Sequence, residues 1–268
     1  MSFFIQRKPA GHARTGSYLG FVAMNLILLP QAAPGARAAP RPQEAPGLRG
    51  DPAAIADAEA MVEAMGGLEI WRELESLEFV HEWEIFDRPD RYVENEILDL
   101  TGPRSYVTME SEIYHRIRAY SPEHRYWNII DDRFSYADDA AYERAMERAP
   151  YSIYRLARSI ARGDSSHDVR FGPMRGVPGA TGLEFRGHDD GVHGWILLNT
   201  RKEPVVWSTT QYTYVFGPLE RFGNLRVPAW GTTGEGRVRF RMVSLTGSGE
   251  RPDPSLFAPP DGRTPPRG

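Results

Sequence analysis

The chain has 268 residues, 32 Lys and Arg against 36 Asp and Glu, and no cysteine. Without a thiol it has no disulfide framework, no cysteine-ligated metal site, no cysteine nucleophile and no acylated N-terminal cysteine. A net charge of −4 with both signs interspersed excludes the basic face of a nucleic-acid binder, and 41% hydrophobic residues suffice for a sizeable core.

Residues 1–38 read as a secretory signal peptide. Arg7, Lys8 and Arg14 form a positive n-region, Tyr18 to Leu29 an apolar run, and Ala36-Arg37-Ala38 a small-x-small cleavage pattern. The run is shorter than the roughly 20 apolar residues a spanning helix needs, and Pro30 and Pro34 close it. Cleavage near Ala38 removes four positive charges (Arg7, Lys8, Arg14, Arg37) and no acidic residue, taking −4 to −8. A periplasmic location is therefore expected. Residues 39–50, rich in Pro, Ala and Gly, read as a disordered tether.

Order is expected from residue 51. Asp51-Pro52 is a helix start, Ile55, Ala58, Val62 and Met65 recur at helical spacing, and Gly66-Gly67 is a stop. Leu68 to Leu74 adds a turn. From Leu77 the period becomes two, with Leu77, Phe79, Trp83 and Ile85 on one face and Arg88-Pro89-Asp90 as a turn. Strands follow at Tyr92 to Leu100, Ser105 to Met109, Tyr114 to Tyr120 and Arg125 to Ile130. Their short connections predict an antiparallel meander.

Asp138-Asp139 caps a short helix, and Pro150 opens a second with Ile153, Leu156, Ala157 and Ile160 on its apolar stripe and Gly163 at its end. A second set of strands covers Val169 to Phe171, Leu183 to Phe185, Val192 to Leu198, Val205 to Phe216, Asn224 to Val227 and Arg237 to Ser244. The last alternates most clearly, with Val238, Phe240 and Met242 opposite Arg237, Arg239 and Arg241. The sum predicts one domain over 51–260, mainly β with helices (α+β), with a disordered tail at 261–268. Its centre is a strongly curved antiparallel sheet, an unclosed β-barrel, with helices on the concave side.

Catalytic signatures are absent from the sequence. There is no G-x-S-x-G, no phosphate-binding G-x-x-x-x-G-K-[ST] and no H-E-x-x-H, and Gly231 to Gly236 reads as a hairpin loop. His188-Asp189-Asp190-Gly191-Val192-His193 offers metal-ligand chemistry through His188, Asp190 and His193, but Asp-Asp-Gly is also a hairpin turn. His115 and His124 are placed to share a face on neighbouring strands. Six Trp, twelve Tyr and twelve Phe leave two readings of the interior open: a filled core, or an apolar cavity for an acyl chain.

The order of features resembles the LolA/LolB-like superfamily of bacterial periplasmic lipoprotein carriers and related envelope proteins. The matching features are the leader, the alanine-rich helix ending in Met65-Gly66-Gly67, Trp71, Leu74-Glu75-Ser76-Leu77, the mid-chain helices, Phe222-Gly223-Asn224-Leu225-Arg226-Val227-Pro228 and the terminal Leu256-Phe257-Ala258-Pro259-Pro260. The resemblance implies an unclosed barrel holding helices over a hydrophobic cavity that accepts acyl chains. A missing lipobox cysteine departs from the outer-membrane-anchored receptor type. The resulting expectation is a non-enzymatic, monomeric protein without cofactor or metal, binding a lipid or the acyl chain of a lipoprotein. Leu77, Phe79, Trp83, Val238, Phe240 and Met242 would line the sheet, and Ile153, Leu156 and Ile160 the helical lid. The alternatives are an envelope interaction or regulatory module with a protein partner and a filled core, and a metal-assisted hydrolase.

Overall fold

The computed structural model describes residues 47–86 and 91–260. The signal peptide, most of the tether, the Arg88-Pro89-Asp90 turn and the 261–268 tail lie outside them. Regular structure begins within the stretch assigned to the tether: β1 (Arg49–Gly50) bonds in parallel to Asp168 and Val169.

Helix α1 (Pro52–Ala64) starts as its first two residues dictate. The Asp51 carboxylate accepts from the Ala53 amide at 3.1 Å, and Pro52 sits where an amide would have no intrahelical partner. The chain leaves the helix through Gly66 at φ +126°, where a Cβ would lie 2.8 Å from the Asn224 carbonyl oxygen. Backbone conformation and close approach both demand glycine there. Helix α2 (Leu68–Glu73) buries Trp71, whose indole donates to the Met65 carbonyl at 3.1 Å.

The meander follows as β2 (Ser76–Ile85), β3 (Arg91–Asp99), β4 (Arg104–Glu110), β5 (His115–Ser121) and β6 (Arg125–Ile130). A further strand, β7 (Arg133–Tyr136), adds to the expected set. Asp131 and Asp132 take φ of +45° and +64° and join it to β6 as a two-residue hairpin. Two consecutive positive φ values match strand twist, and Asp tolerates them better than most side chains.

Helix α3 (Asp139–Arg148) is capped by Asp138. Pro150 does not open the next helix. It lies in a 3₁₀ turn, Ala149–Tyr151, and α4 (Ile153–Arg162) begins after Ser152, whose hydroxyl accepts from the Arg155 amide at 3.4 Å. Gly163, left-handed at φ +65°, ends it.

The second set comprises β8 (Asp168–Pro173), β9 (Thr181–Arg186), β10 (Val192–Leu198), β11 (Pro204–Thr209), β12 (Thr213–Phe216), β13 (Leu219–Phe222), β14 (Leu225–Pro228), β15 (Trp230–Thr233) and β16 (Val238–Ser248). The apolar run Val205 to Phe216 is two strands rather than one. The Thr209 hydroxyl accepts from the Gln211 and Tyr212 amides at 3.3 Å and turns the chain between them.

Fourteen strands form one sheet in the order β1-β8-β9-β10-β11-β12-β15-β16-β2-β3-β4-β5-β6-β7, and β13-β14 stand apart as a hairpin. Antiparallel pairing of β16 with β2, from Val238–Ile85 to Ser248–Ser76, joins the two halves of the chain. The outer strands β1 and β7 do not pair with each other, so the curved sheet stays open, as expected. Its core joins Met61, Trp71, Leu156 and Ile160 of the helices to Leu77, Leu98, Leu183, Phe185 and Ile196 of both halves, so the sheet wraps the helices. Among the described residues no helix is long and apolar enough to cross a membrane.

Candidate functional site

A cavity of about 340 Å³ lies between the inner face of the sheet and the start of α4. Its aromatic wall centres on Phe240 of β16, whose ring lies 4.4 Å from His81, 5.3 Å from Trp83 and 6.2 Å from Tyr214. Strand register creates this cluster, because Phe240 is directly opposite Trp83, and Trp83 directly opposite Tyr92, with which it stacks at 5.9 Å. Phe79 and Tyr154 meet edge to face at 5.5 Å where β2 faces α4.

Of the nine residues expected to line an interior, Phe79, Trp83, Ile153, Val238 and Phe240 do so. Leu77, Leu156, Ile160 and Met242 do not border it and are packed in the core. The division follows the helices. Ile153 occupies the first turn of α4, beside the cavity, whereas Leu156 and Ile160 belong to the part of α4 that packs with α1 and α2. Leu156→Ala should therefore act on stability, lowering it by about 2–5 kcal/mol in chemical denaturation while leaving ligand uptake by the folded protein unchanged.

The aromatic wall continues into polar side chains on the same and neighbouring strands. His81 shares the inner face of β2 with Phe79 and Trp83 by simple alternation, and its register partner on β3 is Glu94. Glu94 is 3% exposed and meets Arg118 of β5 at 3.4 Å. Burial pushes the Glu94 carboxyl up to about 7, against the pull of the Arg118 charge. Burial likewise drives the His81 imidazole down to about 3, so it is neutral at physiological pH. Arg118 lines the cavity with its side chain 26% exposed; burial opposes its charge, and Glu94 raises its pKa overall. None of these three was among the expected site residues. Alternation gave the signal for His81, while Glu94 and Arg118 lie on strands whose inner faces mix polar and apolar side chains.

His188 to Gly191 lie in the turn of the β9–β10 hairpin, and Val192 and His193 already belong to β10. Asp190 has φ +59°, and His193 Nε2 lies 3.0 Å from both carboxylate oxygens of Asp189. No group of three metal-ligating side chains converges among the described residues. His115 and His124 do not share a face: one begins β5, and the other lies in the turn after it.

No protein-family model matches this chain, and no curated protein matches it. Its fold is similar to that of several solved structures. A DUF1329 family protein from Desulfovibrio piger is 7% identical, with 76% of this chain and 96% of that one covered, at a TM-score of 0.43. An uncharacterised conserved protein from Thermus thermophilus is 8% identical over 80% of this chain and 99% of that one, at a TM-score of 0.31. A chain of the Pseudomonas aeruginosa MucA/MucB complex is 13% identical over 77% of this chain and 61% of its own length, at a TM-score of 0.31.

Proposed function

We propose that this is a periplasmic binding protein that holds a lipid or acylated ligand, with a carrier role, in the cavity between Phe240 and α4. The observation that carries the reading is the hollow itself: about 340 Å³ walled by aromatic side chains, within the range of small-ligand pockets. Each methylene moved from water into such a wall contributes about 0.8 kcal/mol, so a chain of modest length binds without a dedicated ion pair. The sequence resemblance to the LolA/LolB-like superfamily supports the same ligand class, and the leader at 1–38 supports export. An interaction module with a filled interior is the weaker reading, because the space between Phe240 and the start of α4 stays open.

Purified mature protein is expected to carry lipid detectable by mass spectrometry and to bind a fluorescent fatty acid. Phe240→Asp should abolish probe binding, while Arg239→Asp, on the outward face of the same strand, should leave it intact. A lipid-free protein that binds no fatty acid probe overturns the proposal.

A further inference from the structure

Buried polar atoms almost always find a partner, so a cluster that does not calls for an explanation. Both ring nitrogens of His81, Nε1 of Trp83 and Nε of Arg118 are buried with no hydrogen-bond partner in the protein, and all three residues line the same cavity. His81 is 6% exposed, and although Glu94 is its register partner, the carboxylate goes to Arg118 instead. The Trp83 N–H is directed at Glu94, so its first claim is on that carboxyl, and the nitrogens of His81 and Nε of Arg118 are the firmer unpartnered positions. An indole N–H and a guanidinium N–H can only donate, and a neutral imidazole donates one proton. The lumen thus holds unpartnered donors at His81 and Arg118 beside an aromatic wall, while the Glu94 carboxyl in the same lining is already taken by Arg118.

Resting on the cavity reading above, we propose that the ligand is an amphiphile whose polar end presents acceptor oxygens, a carboxyl or an ester, to His81, Trp83 and Arg118 while its chain lies against Phe79 and Phe240. A plain hydrocarbon leaves these donors unpaired and desolvated. The site selects chain and acceptor together, because aromatic surface and donors sit on consecutive inward positions of β2: Phe79, His81 and Trp83.

The test uses mature wild-type protein loaded with a fluorescent apolar probe, displaced by laurate, methyl laurate and dodecane, which share a twelve-carbon chain. Laurate or methyl laurate should displace the probe at concentrations about tenfold or more below dodecane. Preference for laurate assigns the acceptor to a free acid, and preference for its methyl ester to an esterified chain. Trp83→Phe and His81→Phe, which keep aromatic surface and remove polar atoms, should bring the three ligands to within about twofold of one another. Either variant, if folded, suffices. Equal displacement by all three in the wild type, or an unchanged preference in the folded variants, overturns the selection of an acceptor group while leaving the cavity reading intact. Failure of the protein to bind the apolar probe or any of the three overturns both.

Discussion

Replacing Arg155 with methionine should lower stability by about 3–5 kcal/mol, a large share of what a domain this size has to spare. Arg155 is 6% exposed, and its guanidinium donates to three backbone carbonyls: Nε to Asp99 at 2.8 Å, Nη1 to Ala149 at 3.1 Å and Nη2 to Arg104 at 2.7 Å. One planar fork thereby ties α4 to the β3–β4 connection and to the 3₁₀ turn before it. Methionine fills most of the volume but takes the donor from the Asp99 and Arg104 carbonyls, the costly half of a broken hydrogen bond, while the Ala149 carbonyl keeps the Ser152 amide at 3.3 Å. Lysine at the same position carries the charge without the fork geometry and should recover less than half of the loss. The measurement is the urea midpoint at constant slope. A loss below about 1 kcal/mol in Arg155→Met would mean that the carbonyls find other partners.

The second large effect is on the pH dependence of stability, where two buried groups act in opposite directions. His81 falls to about 3 in the folded protein from an ordinary 6.5, so the unfolded chain binds more protons there, and stability is lost as pH falls from 6.5 toward 3. Glu94 rises from 4.5 to about 7, so the folded protein binds more protons, and stability is lost as pH rises from 4.5 through 7. Each unit corresponds to about 1.4 kcal/mol, so the two contributions largely offset each other between pH 4.5 and 6.5. Single substitutions should separate them. Glu94→Gln leaves the His81 slope alone, so this variant should lose stability steeply on acidification below pH 6.5. His81→Phe leaves the Glu94 slope, so that variant should become more stable as pH drops from 7.5 to 5. Denaturant titrations at those pH values give the sign directly, and identical pH slopes in the wild type and both variants would contradict the assignment.

Much of the architecture was legible from local chemistry. Asp51-Pro52 and Gly66-Gly67 bracket α1 because a side-chain acceptor, a missing amide and a positive φ are properties of single residues. The alternation Val238, Phe240, Met242 marks the inner face of β16 because consecutive side chains in a strand point to opposite sides. Where two local signals compete, local reading fails. Pro150 suits a helix start, but Ser152 supplies the capping hydroxyl and takes the role. The Asp131-Asp132 pair resembles a loop, yet both residues adopt the left-handed region and return the chain as β7.

The site divides in the same way. Phe79, Trp83 and Phe240 could be assigned to an interior because period-two spacing and hydrophobicity depend only on the chain itself. Whether an inward residue meets packed helix or open cavity is decided by where α4 lies, and this separates Ile153, at the cavity, from Leu156, in the core. The encounter of Glu94 with Arg118, 24 residues apart on strands that are not adjacent in the sheet, depends on the curvature and register of β3, β4 and β5. By itself the sequence determined strand faces, helix ends and the absence of thiol chemistry, since each follows from the side chain and its near neighbours. Only the tertiary structure decided that a cavity stays open beside α4 and that Glu94 and Arg118 meet in its wall, because both result from how distant elements pack.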